Sequence, residues 1–257
     1  MTRINRRIAL LISTLFVSNL HSFSRDTTSS DMFYGNRITV SGGVSYLAVR
    51  DEYLSREKYT AVLPIWELAW SRFSTTSAYR LTFQYQSTTH LKSYNVSADL
   101  HQGSLRLDIL FPTGAFELVN RKASVWLGPG SEFFVHTRRQ HIAGDLKESS
   151  TFSSIYGNVV GEIFYPLASS VNVEAMSSFS LFSLAAKTNV ETGSESTTKL
   201  LSLFSSLRAE GEIRLRCRLT DSFSASAGYR FELTRADAWD YFLAGNDQLV
   251  LAITYDL

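Results

Sequence analysis

The C-terminal part of the chain, about fifty residues, alternates between apolar and polar side chains with a period of two. From residue 207 to residue 219 the odd positions are apolar or small. The even positions are Arg208, Glu210, Glu212, Arg214, Arg216 and Arg218. This period is typical of a β-strand, because successive side chains point to opposite faces. The pattern returns over residues 223–234 and 247–257, which predicts three consecutive two-faced strands.

The final strand runs to the carboxyl end of the sequence and closes on Tyr255 and Leu257. This ending resembles that of bacterial outer-membrane β-barrel proteins, whose last strand alternates and stops at an aromatic or another apolar residue, most often phenylalanine. The resemblance implies an all-β fold, a closed antiparallel up-and-down transmembrane β-barrel, located in the bacterial outer membrane. It also implies two partners, the lipids of that membrane and the outer-membrane assembly machinery, which would engage the C-terminal strand.

Period-two patterning along the rest of the chain raises the count to ten candidate strands, an even number. They cover residues 37–50, 61–72, 77–87, 95–111, 123–136, 154–165, 171–184, 200–219, 223–234 and 247–257. Two candidates are interrupted, so eight or twelve strands are the alternatives.

The connections between these strands alternate in length, which is typical of outer-membrane barrels. Short turns are predicted at residues 73–76, 166–170 and 220–222, and longer loops at 51–60, 138–153, 186–199 and 235–246. The loop at 88–94 is only modest, and the turn at 112–122 is long for its rim. Ten strands place both termini on the short-turn rim, which would face the periplasm.

Residues 1–24 have the layout of a secretory signal peptide. Three arginines, at positions 3, 6 and 7, precede an apolar run at residues 8–17, and small residues follow. The run is shorter than the roughly 20 residues of a spanning helix, although a retained anchor helix is the alternative. A short segment (25–36) and the barrel domain (37–257) then complete the chain. No later apolar run reaches 18 residues, so any membrane insertion would use strands.

Composition removes several classes of function. The net charge of +1 lacks the basic excess typical of nucleic-acid binding. The single cysteine, Cys217, forms no internal disulfide and falls on the apolar face of its strand. Metal ligation by His101, His136 or His141 is not favoured, because the histidines are scattered and no ligand spacing is present. We therefore expect no cofactor, no metal and no nucleic-acid partner.

The apolar faces are assigned to lipid and the charged faces to the lumen. A basic side chain costs about 2 to 4 kcal/mol at the bilayer midplane, so outward-facing arginines would be prohibitive in a membrane barrel. The alternative is a secreted soluble β-barrel of the lipocalin sort, or a two-sheet sandwich, in which the apolar faces form a ligand-binding core. Outward tyrosines toward the strand ends, among them Tyr79, Tyr85, Tyr229 and Tyr255, favour the membrane.

Inward charges are the strongest functional pointer in the sequence. The predicted lumen cluster consists of Arg80, Arg106, Asp108, Glu162, Arg208, Glu210, Glu212, Arg214, Arg216, Arg218, Arg230 and Glu232. A narrow barrel can be filled by such side chains, since eight strands already leave an interior that side chains occupy. A structural plug is one interpretation, and a pore for small solutes, with the row from Arg214 to Arg218 favouring anions, is the other. Both make the protein non-enzymatic, serving envelope structure, binding or passage; its oligomeric state is undetermined.

Two irregularities interrupt the strand pattern. The apolar positions of the fourth candidate change from even to odd near Gly103, which predicts a β-bulge there. The fifth candidate carries Gly128, Pro129 and Gly130, and a proline removes a ladder hydrogen bond. A hairpin centred near residue 116 or 117 would place Gly103 and Pro129 at similar depth. This weak seam is either a simple bend or an opening through which an apolar molecule passes sideways.

Asp99 and His101 are the only candidate acid–base pair. Two residues apart on one strand, they share a face, which we expect to be lumenal, and an aspartate can orient a histidine for general-base catalysis. Barrel-embedded proteases need a second acidic pair, and barrel-embedded lipid hydrolases need a closely spaced His and Ser; neither is recognisable. Catalytic residues are therefore not assigned, and a barrel-embedded hydrolase, protease or lipid-acting, is the alternative function.

Overall fold

A computed structural model describes residues 35–51, 55–92, 97–141, 149–189, 197–237 and 241–257. It contains eleven strand segments: β1 (Gly35–Asp51), β2 (Ser55–Phe73), β3 (Ala78–Lys92), β4 (Ser97–Leu118), β5 (Arg121–His141), β6 (Ser149–Ala168), β7 (Val171–Asn189), β8 (Thr197–Ser202), β9 (Ser206–Arg218), β10 (Phe223–Ala236) and β11 (Phe242–Asp256). The predicted signal peptide, residues 1–24, lies outside the described residues and stays a prediction. The barrel itself begins at β1, close to the predicted boundary.

The strands form one closed antiparallel barrel. Sequential neighbours pair from β1 to β7, β9 pairs with β10 and β10 with β11, and β1 pairs with β11. β8 and β9 share a single position in the wall, because β7 pairs with β8 through residues 182–187 and with β9 through residues 171–179. The prediction of a ten-stranded barrel is therefore confirmed, although residues 203–205 interrupt the predicted strand at 200–219 with a turn.

The rim at which β1 begins and β11 ends also carries the tight turns, as predicted. One predicted feature of this rim, a long turn over residues 112–122, is wrong. β4 continues to Leu118 and β5 begins at Arg121, with Val119 and Asn120 between them at φ angles of 49° and 59°. Two successive left-handed residues make the tight hairpin turn that matches strand twist. A register shift between Pro112 and Gly114 bends this hairpin, whose β4 arm is exposed beyond Leu110.

The outer face of the barrel is apolar. Trp66, Leu251 and Ile213 expose 62%, 59% and 55% of their surfaces, and they belong to a set of large exposed apolar side chains that extends around the wall. Soluble proteins rarely expose contiguous apolar area on this scale. The outward assignment of the apolar faces is therefore confirmed, and the soluble barrel is excluded. Among the residues described, no helix has the length and apolar character needed to span a membrane.

The lumen is filled by three layers of side chains. In the middle lies the charged layer, built from the inward arginines, glutamates and Asp108. Toward the loop rim lies the loop-side apolar layer, which includes Leu47, Val49, Tyr59, Leu63, Leu91, Ala98, Leu100, Phe134, Phe152, Tyr156 and Phe242. Toward the terminus rim lies the terminus-side apolar layer of Phe73, Ala78, Leu110, Trp126, Val160 and Phe164. The charged layer is thus bounded by apolar side chains on both sides.

The change of phase in β4 has a different cause from the one predicted. The β3–β4 register runs unbroken from Leu110 to Leu100, so no bulge occurs at Gly103. Ala98 and Leu100 are fully buried because they point into the loop-side apolar layer, whereas Leu105 and Leu107 point outward. The side chains of β4 alternate between inside and outside without interruption. Near the barrel middle the apolar side chains point outward, and toward the loop rim they point inward.

Candidate functional site in the barrel lumen

Arg230 is the hub of the charged layer. Its Nη2 lies 2.6 Å from a carboxylate oxygen of Glu67 and 3.1 Å from one of Glu212, and its Nε lies 3.4 Å from one of Glu210. Its Nη1 donates to the side-chain oxygen of Gln84 at 3.2 Å. Strands β2, β3, β9 and β10 meet through this single guanidinium group, whose planar array of donors suits several partners at once.

Arg208 makes the second junction, toward the loop side. Its Nε and Nη2 donate to the two oxygens of Glu132 at 2.7 and 2.6 Å, a bidentate pair. Its Nη1 donates to Thr234 Oγ1 at 2.8 Å, and the guanidinium carbon lies 4.3 Å from the ring centroid of Phe134. Arg208 therefore joins the charged layer to the loop-side apolar layer.

The remaining arginines are paired in the same way. Arg80 Nη2 donates to both oxygens of Glu162 at 2.7 and 2.8 Å. The other pairs are Arg106 with Asp108 (2.8 Å) and with Glu210, Arg214 with Glu212, Arg216 with Glu174 (3.1 Å), and Arg37 with Asp256 (2.8 Å). Within the predicted arginine row, Arg214 and Arg216 are neutralised by carboxylates from two other strands and their own. This pairing makes burial of these charges tolerable.

A cavity of about 70 Å³ remains within the charged layer. A water needs roughly 10 to 15 Å³ of such space, so about five waters can be accommodated. The sulfur of Met176 also borders it, 3.5 Å from nitrogens of both Arg80 and Arg106. The cavity is large enough for hydration of the ion pairs and too small for a drug-sized ligand, which needs about 300 Å³ or more.

The structure brings together every predicted lumen charge except Arg218. That residue is exposed at the end of β9, where the strand meets the terminus rim. Four charged members were missed by the sequence analysis: Arg37, Glu67, Glu132 and Glu174. Glu67 lies between Trp66 and Leu68, two apolar residues that point outward. A charged residue between two such positions points inward, and this pattern could have identified Glu67.

The loop-side apolar layer closes the lumen above these pairs. Phe152 and Phe242 stack with centroids 5.0 Å apart, and the ring of His136 meets Phe242 edge-on at 5.0 Å. His136 also contacts Gln102 Oε1 through Nδ1 at 3.2 Å. Within the described ranges, no group of three or more His, Cys, Asp or Glu is placed to hold a metal.

Arg138 is the exceptional charge of the loop-side layer. It is fully buried, with its guanidinium carbon 4.5 Å from the ring centroid of Tyr59 and Nη2 3.9 Å from Asp51. Lys187 lies closer to the same carboxylate, at 3.1 Å. An aromatic face and a shared carboxylate therefore replace the bidentate pairs of the charged layer.

The terminus-side apolar layer lies on the opposite side of the charged layer, on strands β2 to β6. Phe73 meets Trp126 and Phe164 edge-on, with centroids 6.1 and 5.7 Å apart. The guanidinium carbon of Arg37 lies 5.3 Å from the centroid of Phe73. These aromatic rings therefore lie between one part of the charged layer and the rim at which β1 begins and β11 ends.

The predicted weak seam is placed differently by the register. Gly103 pairs with Val135 on β5. Asp108 pairs with Gly130 and Phe111 pairs with Leu127, so Pro129 lies close to Ile109. The hairpin turns at residues 119–120 rather than at 116 or 117, which explains the error. A Cβ at Gly128 would lie 1.9 Å from the carbonyl oxygen of Ile109, so the two backbones approach closely there.

Gly130 has a packing role next to this close approach. A Cβ at Gly130 would lie 2.6 Å from Asp108 Oδ1 and 2.8 Å from Val160 Cγ2. Because Gly130 has no side chain, Asp108 has room to accept a hydrogen bond from Arg106 in the charged layer.

Asp99 and His101 do not face the lumen, which corrects the expectation for this pair. They occupy outward positions of β4, alternating with buried Ala98, Leu100 and Gln102. Asp99 Oδ1 lies 3.0 Å from Nε2 of His141 on β5, and His101 Nδ1 lies 2.9 Å from the hydroxyl of Tyr85 on β3. Each member of the predicted pair thus has its own partner on a neighbouring strand.

Comparison with known proteins identifies the fold but no family. No protein-family model matches the chain, and no curated protein matches it significantly. Among solved structures, the outer membrane protease OmpT from Escherichia coli has a TM-score of 0.58 at 7% identity, covering 92% of this chain and 99% of that chain. The translocator domain of the autotransporter NalP from Neisseria meningitidis has a TM-score of 0.47 at 10% identity, covering 98% and 96%.

The attachment invasion locus protein Ail of Yersinia pestis also matches, with a TM-score of 0.37 at 11% identity, covering 87% of this chain and 99% of that chain. The first of the three is named an outer-membrane protein. At these identities the likeness concerns the fold. The chain has the closed antiparallel β-barrel fold of bacterial outer-membrane proteins, in agreement with the predicted outer-membrane location.

Proposed function

We propose that this protein is a non-enzymatic and non-conducting outer-membrane barrel, in which the lumen is a structural plug and the outer wall and loop rim carry the binding or envelope role. The observation that carries this proposal is the order of the three lumen layers. A charged layer in which the arginines have carboxylate partners is enclosed between two apolar layers. An ion crossing the barrel would have to pass the loop-side apolar layer and break buried ion pairs.

The balance of charge in the lumen also supports a plug over an anion-selective pore. Arg214 and Arg216, which alone would favour anions, are held by Glu212 and Glu174. Arg230 is surrounded by three glutamates. A solute that crosses a pore must bind weakly enough to be released. Here a solute would have to displace short, buried ion pairs between side chains.

Single-channel recording in planar bilayers tests this proposal. We expect no discrete conductance from the purified barrel, and reproducible steps from the wild-type protein would contradict the proposal. Insertion is verified on the recovered membranes by a heat-modifiability gel, since a closed barrel migrates differently before and after boiling. The matched variant is Phe152→Ala combined with Phe242→Ala, which removes the stacked pair of the loop-side apolar layer and should produce rare openings if that layer is the seal.

A barrel-embedded hydrolase is the second candidate, favoured by one contact. Asp99 lies 3.0 Å from His141, a geometry in which a carboxylate can orient an imidazole. The solved structure with TM-score 0.58 is named a protease. The contact lies on the outer wall, however, where a substrate would approach beside the lipid. Assays with peptide and ester substrates test it: hydrolysis that Asp99→Asn abolishes would favour this candidate over the plug.

A further inference from the structure

A group of ionisable side chains lies on the outer face of the wall, at the loop-side end of β2 to β5. We name it the outer-wall patch; it consists of Lys58, Lys92, Asp99, His101, Arg139 and His141. All of these residues are exposed except Asp99, which is half-buried beside His141. The patch includes the aspartate and histidine that the lumen does not use.

The strand register holds this patch together. Thr60, Lys92, Ser97 and His141 are successive partners across β2, β3, β4 and β5, and Asp99 is the partner of Arg139. Adjacent strands are about 4.8 Å apart, so the patch spans roughly 15 Å across the wall. The cations are therefore close enough to contact one headgroup that carries more than one anionic group.

The position of the patch relative to the apolar belt is decisive. On the same outer face, the side chains toward the barrel middle are Phe83, Leu105 and Phe133, which expose 51%, 47% and 47% of their surfaces. A lipid whose chains lie against these residues has its headgroup at the level of Lys92 and Arg139. The patch has three permanent cations against one carboxylate, and that carboxylate already contacts His141.

We infer that the outer-wall patch binds the phosphate groups of a phosphorylated glycolipid headgroup in the outer leaflet. Lys58, Lys92 and Arg139 supply charge-assisted hydrogen bonds to phosphate oxygens. A basic side chain near an anionic lipid surface contributes about 1 kcal/mol to binding. Soluble phosphate offers the same oxygens without the chains that contact the belt, so the lipid is the better ligand. The inference depends on the membrane placement of the wall and is independent of whether the lumen conducts.

The test uses the full-length mature barrel in detergent, titrated with lipid A that carries two phosphates and followed by native mass spectrometry. Removing two basic side chains with Lys92→Gln and Arg139→Gln should weaken binding about 30-fold, as roughly 2 kcal/mol requires. The matched control is Arg121→Gln with Lys122→Gln, which removes the same charge from β5 at the other rim. We expect the control to bind as the wild type does.

Three results would overturn the inference: equal weakening in the patch and control variants, unchanged affinity for dephosphorylated lipid A, or displacement of lipid A by inorganic phosphate at equal concentration. The last result would make the patch a site for free phosphate. Folding of each variant is checked by a heat-modifiability gel. If the double variant does not fold, Lys92→Gln alone should weaken binding about fivefold, and no loss in that variant contradicts the inference.

Discussion

The charged layer and the loop-side apolar layer occupy the same lumen, on the same strands, yet they bury arginine in different ways. Arg230 is enclosed by three glutamates and a glutamine. Arg138 lies at the level of the loop-side apolar layer, with the ring of Tyr59 at 4.5 Å and one carboxylate, Asp51, which Lys187 also contacts. We therefore expect loss of the arginine to cost more stability in the charged layer than in the loop-side apolar layer.

This contrast coincides with a reversal of polarity along the wall. In the middle of the barrel, strands are apolar outside and charged inside, as membrane insertion requires. Toward the loop rim, β4 has Asp99 and His101 outside and Ala98 and Leu100 inside, the arrangement of a soluble barrel. The reversal indicates where β4 leaves the hydrocarbon.

The largest expected effect is on the charged layer. Arg230→Met removes the cation that three carboxylates share; Glu210 and Glu212 keep Arg106 and Arg214, but Glu67 keeps only the more distant Arg214, at 3.7 Å. Breaking a buried pair from one side costs about 3 to 5 kcal/mol. Arg138→Met is the matched change in the loop-side layer; because Lys187 still serves Asp51, we expect a cost below about 1.5 kcal/mol. Reversible urea unfolding in lipid vesicles measures both free energies of unfolding. Equal losses in the two variants would remove the distinction between the layers.

The second effect concerns the polarity reversal on β4. Leu107→Arg places a cation in the apolar belt and should lower the free energy of unfolding in vesicles by about 2 to 4 kcal/mol. His101→Arg, on the same outward face of the same strand, should change it by less than about 0.5 kcal/mol. A large loss for His101→Arg would mean that the belt reaches the loop rim and that the reversal is misplaced.

The smallest effect concerns the seam between β4 and β5. Gly128→Ala puts a Cβ 1.9 Å from the carbonyl oxygen of Ile109, so the two backbones must separate, at a cost of about 1 to 3 kcal/mol. At Gly103 the nearest atom to a new Cβ is 3.6 Å away, and Gly103→Ala should be nearly neutral. Amide exchange gives a second readout: we expect faster exchange near Ile109 in Gly128→Ala only. Similar stability losses and exchange rates in the two variants would mean that the wall is also irregular at Gly103.

Much of the fold was predictable because the strands place apolar side chains toward the lipid and charged side chains toward the lumen. This arrangement gives a strong period-two alternation in the sequence. The strands with arginine and glutamate rows, Leu207 to Leu219 above all, were found in this way. The long hairpin at residues 112–122 was not, because Pro112 and Gly114 are turn formers whose role in bending a strand depends on the partner strand. The interruption at residues 203–205 was also missed, since its Leu, Phe and Ser continue an apolar run.

The site was predicted in part, and the error in β4 is the instructive one. A change of apolar phase was interpreted as an extra residue near Gly103, whereas the structure keeps the phase and changes the environment. Sequence periodicity reports the contrast between two faces and not which solvent each face meets. Asp99 and His101 were expected to face the lumen because they are polar and because other charged residues of β4 do so. They face outward instead.

The long sequence separation of the lumen pairs bears on how this chain reaches its final state. Glu67, from an early strand, finds its arginine partner in Arg230, near the end of the chain, and Arg106 finds Glu210. A nascent barrel that has inserted only its first strands therefore carries unneutralised carboxylates, and hydration of those groups opposes closure around a partial set. The missing guanidinium groups come from β9, with Arg208, Arg214 and Arg216, and from β10, with Arg230. We therefore expect the arrival of these late strands and the closure of the barrel to be one cooperative event.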